Sequence, residues 1–307
     1  YWPGLHGGFF FDDTASVLQP EGVRLEELTL TALSQALGSG QAGPSGRPVA
    51  QLSFALNYYF GGFDPFLFKV GNLAIHLASG LIAGLLARRL LARALPEAGR
   101  VSILSAAGLV MALWLLHPIQ LLPVLHVVQR MTSLSALFLL AALLLHIVGR
   151  ERGGPAGRWL LLAAWTLFWP LACLSKETGI LFPCFALAWE GMLHRLDRGG
   201  PDRFMQGLAG AMALAAVAAV VYLASPAGRW LWAGYELRGF GPFDRLLTEA
   251  RVLWFYLGLI LFPRLEALGL YHDDIAVSAG LLQPWTTFAA VLGLRLIAGW
   301  RGRRAAR

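Results

Sequence analysis

Apolar stretches of about membrane-crossing length recur along this chain, and short arginine clusters separate them. They cover residues 66–87, 102–116, 132–148, 159–174, 180–193 and 204–224, with weaker ones at 252–262 and 285–300. The hydrocarbon core of a bilayer takes about 20 residues of helix, and backbone inside it must satisfy its own N–H and C=O groups. The chain is therefore expected to be all-α, a polytopic transmembrane helical bundle. Composition agrees, because only 14% of the 307 residues are charged, against about 25% in a soluble domain.

The net charge of +7 is spread as clusters: Arg88, Arg89, Arg93 and Arg100; Arg150, Arg152 and Arg158; Arg195, Arg198 and Arg203; and the terminal "RGRRAAR". Such clusters between apolar stretches mark cytoplasmic loops facing anionic lipid, not a nucleic-acid surface. With those loops inside, four regions share the opposite face: residues 1–65, "HPIQLLPVLHVVQR", "SKETG" and the loop after Ala224. The expected organisation is a single membrane domain with a long first extracytoplasmic loop at 1–65 and a helical core at 66–224. A late extracytoplasmic region at 225–284 and a last helix with a basic tail at 285–307 complete it. Placing "LYHDDIAVS" outside requires either a re-entrant segment at 252–262 or an extra crossing within 225–250, and both stay open. The chain opens on Tyr1 without a signal-peptide pattern and reads as a fragment whose first spanning helix lies upstream.

Within the first loop, Leu25, Leu28, Ala32 and Ala36 recur at helical spacing, as in an amphipathic helix lying on the membrane. "GSGQAGPSGRP" then reads as a loop ending in an Arg47-Pro48 turn. Cys173 and Cys184 lie in apolar segments without metal spacing, so they read as structural thiols. Phosphate-loop, zincin and hydrolase-elbow motifs do not occur.

Four polar interruptions remain. "GGFFFDDTASV" sets Asp12 and Asp13 directly behind three phenylalanines. Mutual repulsion and apolar surroundings both disfavour a charged carboxylate, which makes it a better proton acceptor; a solvated, helix-capping turn is the alternative. "LLHPIQLLPVLHVVQRMTS" carries His117, Gln120, His126, Gln129 and Arg130, either as a polar site or as a proline-broken helix end. Arg130, away from the cytoplasmic face, calls for an anionic partner. "LACLSKETGILFP" breaks an apolar run with Lys176 and Glu177, and ionisable groups at such depth are functional unless paired off locally. Lys176 and Lys69 are the two lysines of the chain. "GLYHDDIAVS" supplies His272, Asp273 and Asp274, which suit a divalent cation, a polar substrate or a solvated loop. Asn72 and His76, four apart, reach one polar cavity or bond helix to helix.

In order, "GGFFFDD", "GRPVAQLSFALNYYFGG", "NLAIHL", "WLLHPIQ", "VVQRMTSLSALF", "LSKETGILFP" and "GLYHDDIAVS" resemble bacterial relatives of the transmembrane and tetratricopeptide-repeat containing O-mannosyltransferases. Those are membrane glycosyltransferases of the GT-C class, and the resemblance covers nearly the whole chain. It implies a GT-C bundle in a bacterial inner membrane with its site on the periplasmic side. Asp12 and Asp13 would supply the base. The donor would be a sugar, mannose or another hexose, on a polyprenyl phosphate, and the acceptor a hydroxyl of a protein or glycan. Arg130, Lys176 and Arg47 are then the candidates for the donor phosphate. Asn72, His76, His117, Gln120, Gln129, Glu177, His272, Asp273 and Asp274 would line the substrate cavity, and Asp13, His272 and Asp273 are the candidates for a divalent cation. Two departures are visible: Gln120 stands where relatives often carry a glutamate, and the chain ends at "RGRRAAR" without the repeats that often follow. A non-catalytic polyprenyl-lipid transporter or envelope-assembly scaffold is the rival reading. It would need the cations but not the base.

Overall fold

The structure is a computed structural model that describes residues 1–196, 202–228, 232–235, 238–269, 272 and 274–305. It divides into two compact units, Tyr1–Leu196 and Asp197–Arg307, which are described separately. Every regular element among the described residues is helical.

The first unit begins with a single turn, α1 (Trp2–Leu5), and a π-helical turn, Thr14–Leu18. Helix α2 (Leu30–Gly38) starts where the Thr29 hydroxyl accepts from the Ala32 N–H at 3.2 Å, a standard cap. The helix is shorter than the apolar spacing implied. Leu28 falls outside it and is exposed, while Ala36 is buried with Leu25 and Ala55. The amphipathic segment therefore packs in part on α3 (Pro48–Gly61) rather than only on a membrane.

Asp64 caps α4 (Pro65–Ala94) by accepting from Phe66 N–H at 2.9 Å, and Pro65 opens it at a position that needs no N–H. Helix α5 (Arg100–Leu116) bends by 52° into Pro118–Leu125, which contains α6 (Leu121–Leu125). Pro118 cannot donate to the preceding turn, so the helix breaks at His117. Helix α7 (Arg130–Arg152) follows, and Gly153 and Gly154, both with φ near +60°, turn the chain into α8 (Gly154–Ala163). A π-helical turn, Ala164–Phe168, joins α8 to α9 (Trp169–Ser175). Helix α10 (Phe182–Leu196) closes the unit.

Helices α4 and α7 run parallel. At one end Arg130 bonds the Phe68 carbonyl at 2.5 Å; at the other Arg89 bonds Glu151 at 2.7 Å. The basic residues Arg88, Arg89, Arg93, Arg100, Arg150 and Arg152 gather at the second end. The first end is covered by the long loop, whose Val17, Val23, Ala50 and Phe54 form one buried cluster with Phe68, Val127, Val128, Met131 and Leu134. That cluster is the floor of the site.

The second unit holds α11 (Arg203–Ala224), capped by Asp202, and the helices Pro242–Leu261 and Thr286–Ala305. The last two are joined where the Trp254 indole N–H donates to the Ala290 carbonyl at 3.0 Å.

Among the described residues, four helical segments are long and apolar enough to cross a membrane: Pro65–Ala94, Val127–Arg152, Gly154–Ser175 and Arg203–Ala224. A fifth joins them if the bent pair Arg100–Leu116 and Pro118–Leu125 is one span. This is a multi-pass membrane protein with fewer clear crossings than the apolar stretches implied. The expected crossing at 180–193 is a helix of 15 residues, and Pro242–Leu261 carries Asp244, Arg245, Glu249 and Arg251 in its first half. Among the described residues of 225–241 only short helical turns occur.

Candidate functional site

The two adjacent acids face different surroundings. Phe11 has φ +52°, the left-handed region that a bulky residue avoids. This turn aims Asp13 inward and leaves Asp12 exposed. Asp13 is 0% exposed. Its Oδ1 accepts from the Val128 N–H at 2.7 Å, and its Oδ2 accepts from the Phe10 N–H at 3.1 Å. The carboxylate thus ties the first loop to the turn that opens α7. The Asp12 carboxylate makes no hydrogen bond among the described residues, and its carbonyl accepts from Ser16 N–H in the π-helical turn. Such turns recur at functional sites because the extra residue re-aims side chains.

His126 lies against this pair. Its Nε2 is 3.5 Å from Asp13 Oδ1, an ion-pair distance if the ring is charged but too long for a hydrogen bond. Its ring stacks on Phe10 with centroids 4.4 Å apart, and neither ring nitrogen has a hydrogen-bond partner among the described residues. Lys69 approaches from α4, and its Nζ donates to the carbonyls of Gly4 at 3.1 Å and Gly7 at 2.7 Å.

Arg130 and Asn72 form a buried clamp beneath. The Arg130 Nε donates to Asn72 Oδ1 at 2.7 Å, and its other nitrogens donate to the carbonyls of Ser53 and Phe68. The Asn72 amide in turn donates to the carbonyls of Val124, His126 and Val127 at 3.3–3.4 Å. Arg130 was expected at the donor phosphate; it is 2% exposed, and its partners are carbonyls and the faces of Phe54 and Phe68. His76 bonds helix to helix: its Nε2 is 3.0 Å from the Leu115 carbonyl, and its ring stacks on Trp114.

Arg47 and Lys176 form a second group beside α7. Arg47 grips Glu177 with two bonds of 2.9 and 3.2 Å, and its third nitrogen lies 3.3 Å from the Met131 sulfur. A side chain at Gly43 would run into the Glu177 carboxylate, so the glycine permits this close approach. The Lys176 ammonium donates to Thr132 Oγ1 at 2.6 Å, and that hydroxyl donates to Gln129 Oε1 at 2.9 Å. Burial pushes Lys176 below the usual ammonium range, helped by Arg47 and opposed by Glu177. Burial raises Glu177, but the Arg47 bond, its own backbone N–H and both nearby cations more than offset that and hold it below the usual carboxylate range. A lowered carboxylate stabilises the folded state above its unfolded value, about 4.3, and the gain vanishes as pH falls through the folded value. A double-mutant cycle over Arg47→Ala and Glu177→Ala should give a coupling of about 1 kcal/mol at pH 7. The same cycle at pH 3, read by thermal unfolding, should give much less.

Among the other expected residues, His117 is half-buried and its Nδ1 accepts from the Ile119 N–H at 3.2 Å, and Gln120 is half-buried beside it. His272 packs on Phe255 with centroids 4.9 Å apart, Asp274 is exposed, and Asp273 lies outside the described residues. Among the described residues no three His, Cys, Asp or Glu side chains gather as a metal site requires.

One polar cluster was not expected. At the basic end of α7, Glu190 accepts from Arg150 Nε at 2.8 Å and pairs with His146 Nε2 at 3.0 Å, while the Trp165 indole donates to His146 Nδ1. The signal was present: Glu190 is a lone acid in an apolar run, and His146 and Arg150 are four apart.

The chain is distantly homologous to animal protein O-mannosyl-transferases. It is 26% identical to protein O-mannosyl-transferase F38B6.6 of Caenorhabditis elegans over 203 residues, covering 64% of this chain and 27% of that protein. It is 34% identical to Tmtc2 of Drosophila melanogaster over 190 residues, 59% of this chain and 19% of that protein. Against human TMTC4 it is 29% identical over 197 residues, 57% of this chain and 25% of that protein. The chain thus spans about a quarter or less of these two proteins' length, and slightly more of the nematode one. No family model and no solved structure matches it.

Proposed function

We propose that the chain is the membrane core of a glycosyltransferase that moves a sugar from a polyprenyl phosphate to a hydroxyl acceptor. The observation that carries this reading is the split diacid: one carboxylate free at the surface, the other locked beneath it by two backbone amides. Mannose as the sugar and an oxygen of a protein as the acceptor are suggested by the names of the distant relatives; serine or threonine would supply that hydroxyl. We place the site on the periplasmic side of a bacterial inner membrane, because the arginine clusters gather at the opposite end of the bundle.

The chemistry is a displacement at the anomeric carbon. The acceptor O–H gives its proton to Asp12, its oxygen forms the new bond to carbon, and the bond from that carbon to the phosphate oxygen breaks. The electron pair leaves with the polyprenyl phosphate, which gains negative charge. That departure needs fixed positive charge more than a proton donor. Arg47 and Lys176 are cations at this end of the unit, while buried Arg130 and Asn72 hold the floor on which the acids stand. His117, Gln120, Gln129 and Glu177 are kept as candidate substrate contacts in the first unit, and His272 with Asp274 as candidates in the second.

The test is direct. Full-length protein in liposomes receives radiolabelled polyprenyl-phosphate mannose and a peptide rich in serine and threonine. Label should pass to the peptide, and alkali should release it. Protein that is folded and binds the donor lipid but transfers nothing to peptide, glycan or water would leave the lipid-transporter reading in its place.

A further inference from the structure

The arginines at the basic end of the first unit fall into two groups. Arg89 and Arg93 both reach Glu151, at 2.7 and 3.4 Å, and Arg150 reaches Glu190 at 2.8 Å. Arg88 and Arg100 make no hydrogen bond or ion pair among the described residues, and Glu97, on the turn between their helices, reaches neither. They line instead one cavity of about 350 Å³ between the end of α4 and the start of α5. Helical spacing builds its walls. Arg88 and Ala92 are four apart on α4, while Ile103 and Leu104 follow Arg100 by three and four on α5, so each set shares a face. Ala92 and Ala98 are small and leave the space open. Arg100 also stands at the unfavourable end of its helix. It is the first residue of α5, where the helix dipole favours an acid, yet the first turn holds none and Gly99 offers no side-chain cap.

We propose that this cavity holds the headgroup of a glycerophospholipid with two phosphates, one on each arginine. Basic pockets between membrane helices suit such headgroups. Below the cavity, exposed Leu85 and Leu81 continue the Arg88 stripe along α4, and exposed Leu104 adjoins it on α5. Acyl chains would cover these leucines. A lipid with one phosphate would leave one arginine without an anion, and a free phosphate would leave the leucines bare. The site lies at the end of α4 and α7 opposite the diacid and takes part in no step of sugar transfer. Its ligand would fasten α4 to α5.

Native mass spectrometry of the full chain in detergent, with thermal unfolding in parallel, tests this with cardiolipin, phosphatidylglycerol and pyrophosphate. Cardiolipin should be retained and should raise the melting temperature, as a ligand of the folded state does. The other two should do neither at equal phosphate. Arg88→Gln and Arg100→Gln should each weaken cardiolipin about fivefold, and together about thirtyfold, the usual effect of single arginines at an anionic lipid surface. Arg152→Gln removes the same charge at the same end of the bundle but outside the cavity, and should keep parental affinity. Ala92→Phe keeps both arginines, fills the space and should abolish retention. Without lipid, Arg100→Gln should melt no lower than the parent, because the charge it removes opposes the helix dipole. Three results overturn the proposal: an equal loss in Arg152→Gln, parental affinity in Ala92→Phe or the double variant, or phosphatidylglycerol or pyrophosphate matching cardiolipin. Sugar transfer is a separate readout. Protein that retains cardiolipin but transfers no sugar leaves this site standing, and an active enzyme that retains none removes the site alone.

Discussion

Asp12→Asn is expected to lower glycosyl transfer by about 10²- to 10⁴-fold, the usual contribution of a positioned base. Donor binding and thermal stability should not change. The exposed carboxylate holds no other group in place, so nothing but its proton affinity is removed. Asp13→Asn is expected to behave differently. One of the two amides that Asp13 accepts from would face an NH₂ group, and an orphaned buried N–H costs about 1–3 kcal/mol. The first loop should loosen from Val128, with a lower melting temperature and a moderate loss of rate. Transfer at parental rate by Asp12→Asn would remove the base from the mechanism and favour a lipid carrier.

The helical bundle was legible because apolar length and arginine position are long-range averages that survive local detail. The stretch at 66–87 became Pro65–Ala94, and 204–224 became Arg203–Ala224. Short elements were less legible. Thr29 stood ready to cap α2, but the leucine spacing upstream of it was the louder signal. The division of labour within the diacid was hidden for a different reason. Adjacent residues of a turn point apart, and which one is buried depends on the backbone at Phe11 and on an amide 115 residues away. Lys69 and His126 stood out in the sequence, but their surroundings did not, since these are backbone carbonyls and an aromatic face, contributed by residues that any sequence has in plenty.

Arg130 is the position where the sequence reading and the observed contacts diverge most, and its substitution should have the largest effect on stability. A cation on the external side of a lipid-processing protein invites a phosphate. In the fold it reaches three oxygens on two helices: Asn72 and Phe68 of α4 and Ser53 of α3. Lysine has the charge but not the planar fork, so it cannot serve three diverging acceptors while stacked between Phe54 and Phe68. Arg130→Lys and Arg130→Met should both lose about 3–5 kcal/mol, the scale for breaking a buried charged network. Asn72→Leu should lose a similar amount, and the pair together less than the sum, because the two residues share one clamp. Protein that stays folded at low temperature should still bind the polyprenyl-phosphate donor with parental affinity. If instead Arg130→Lys is as stable as the parent and binds the lipid tenfold more weakly, the guanidinium meets the donor, and the clamp opens to admit it.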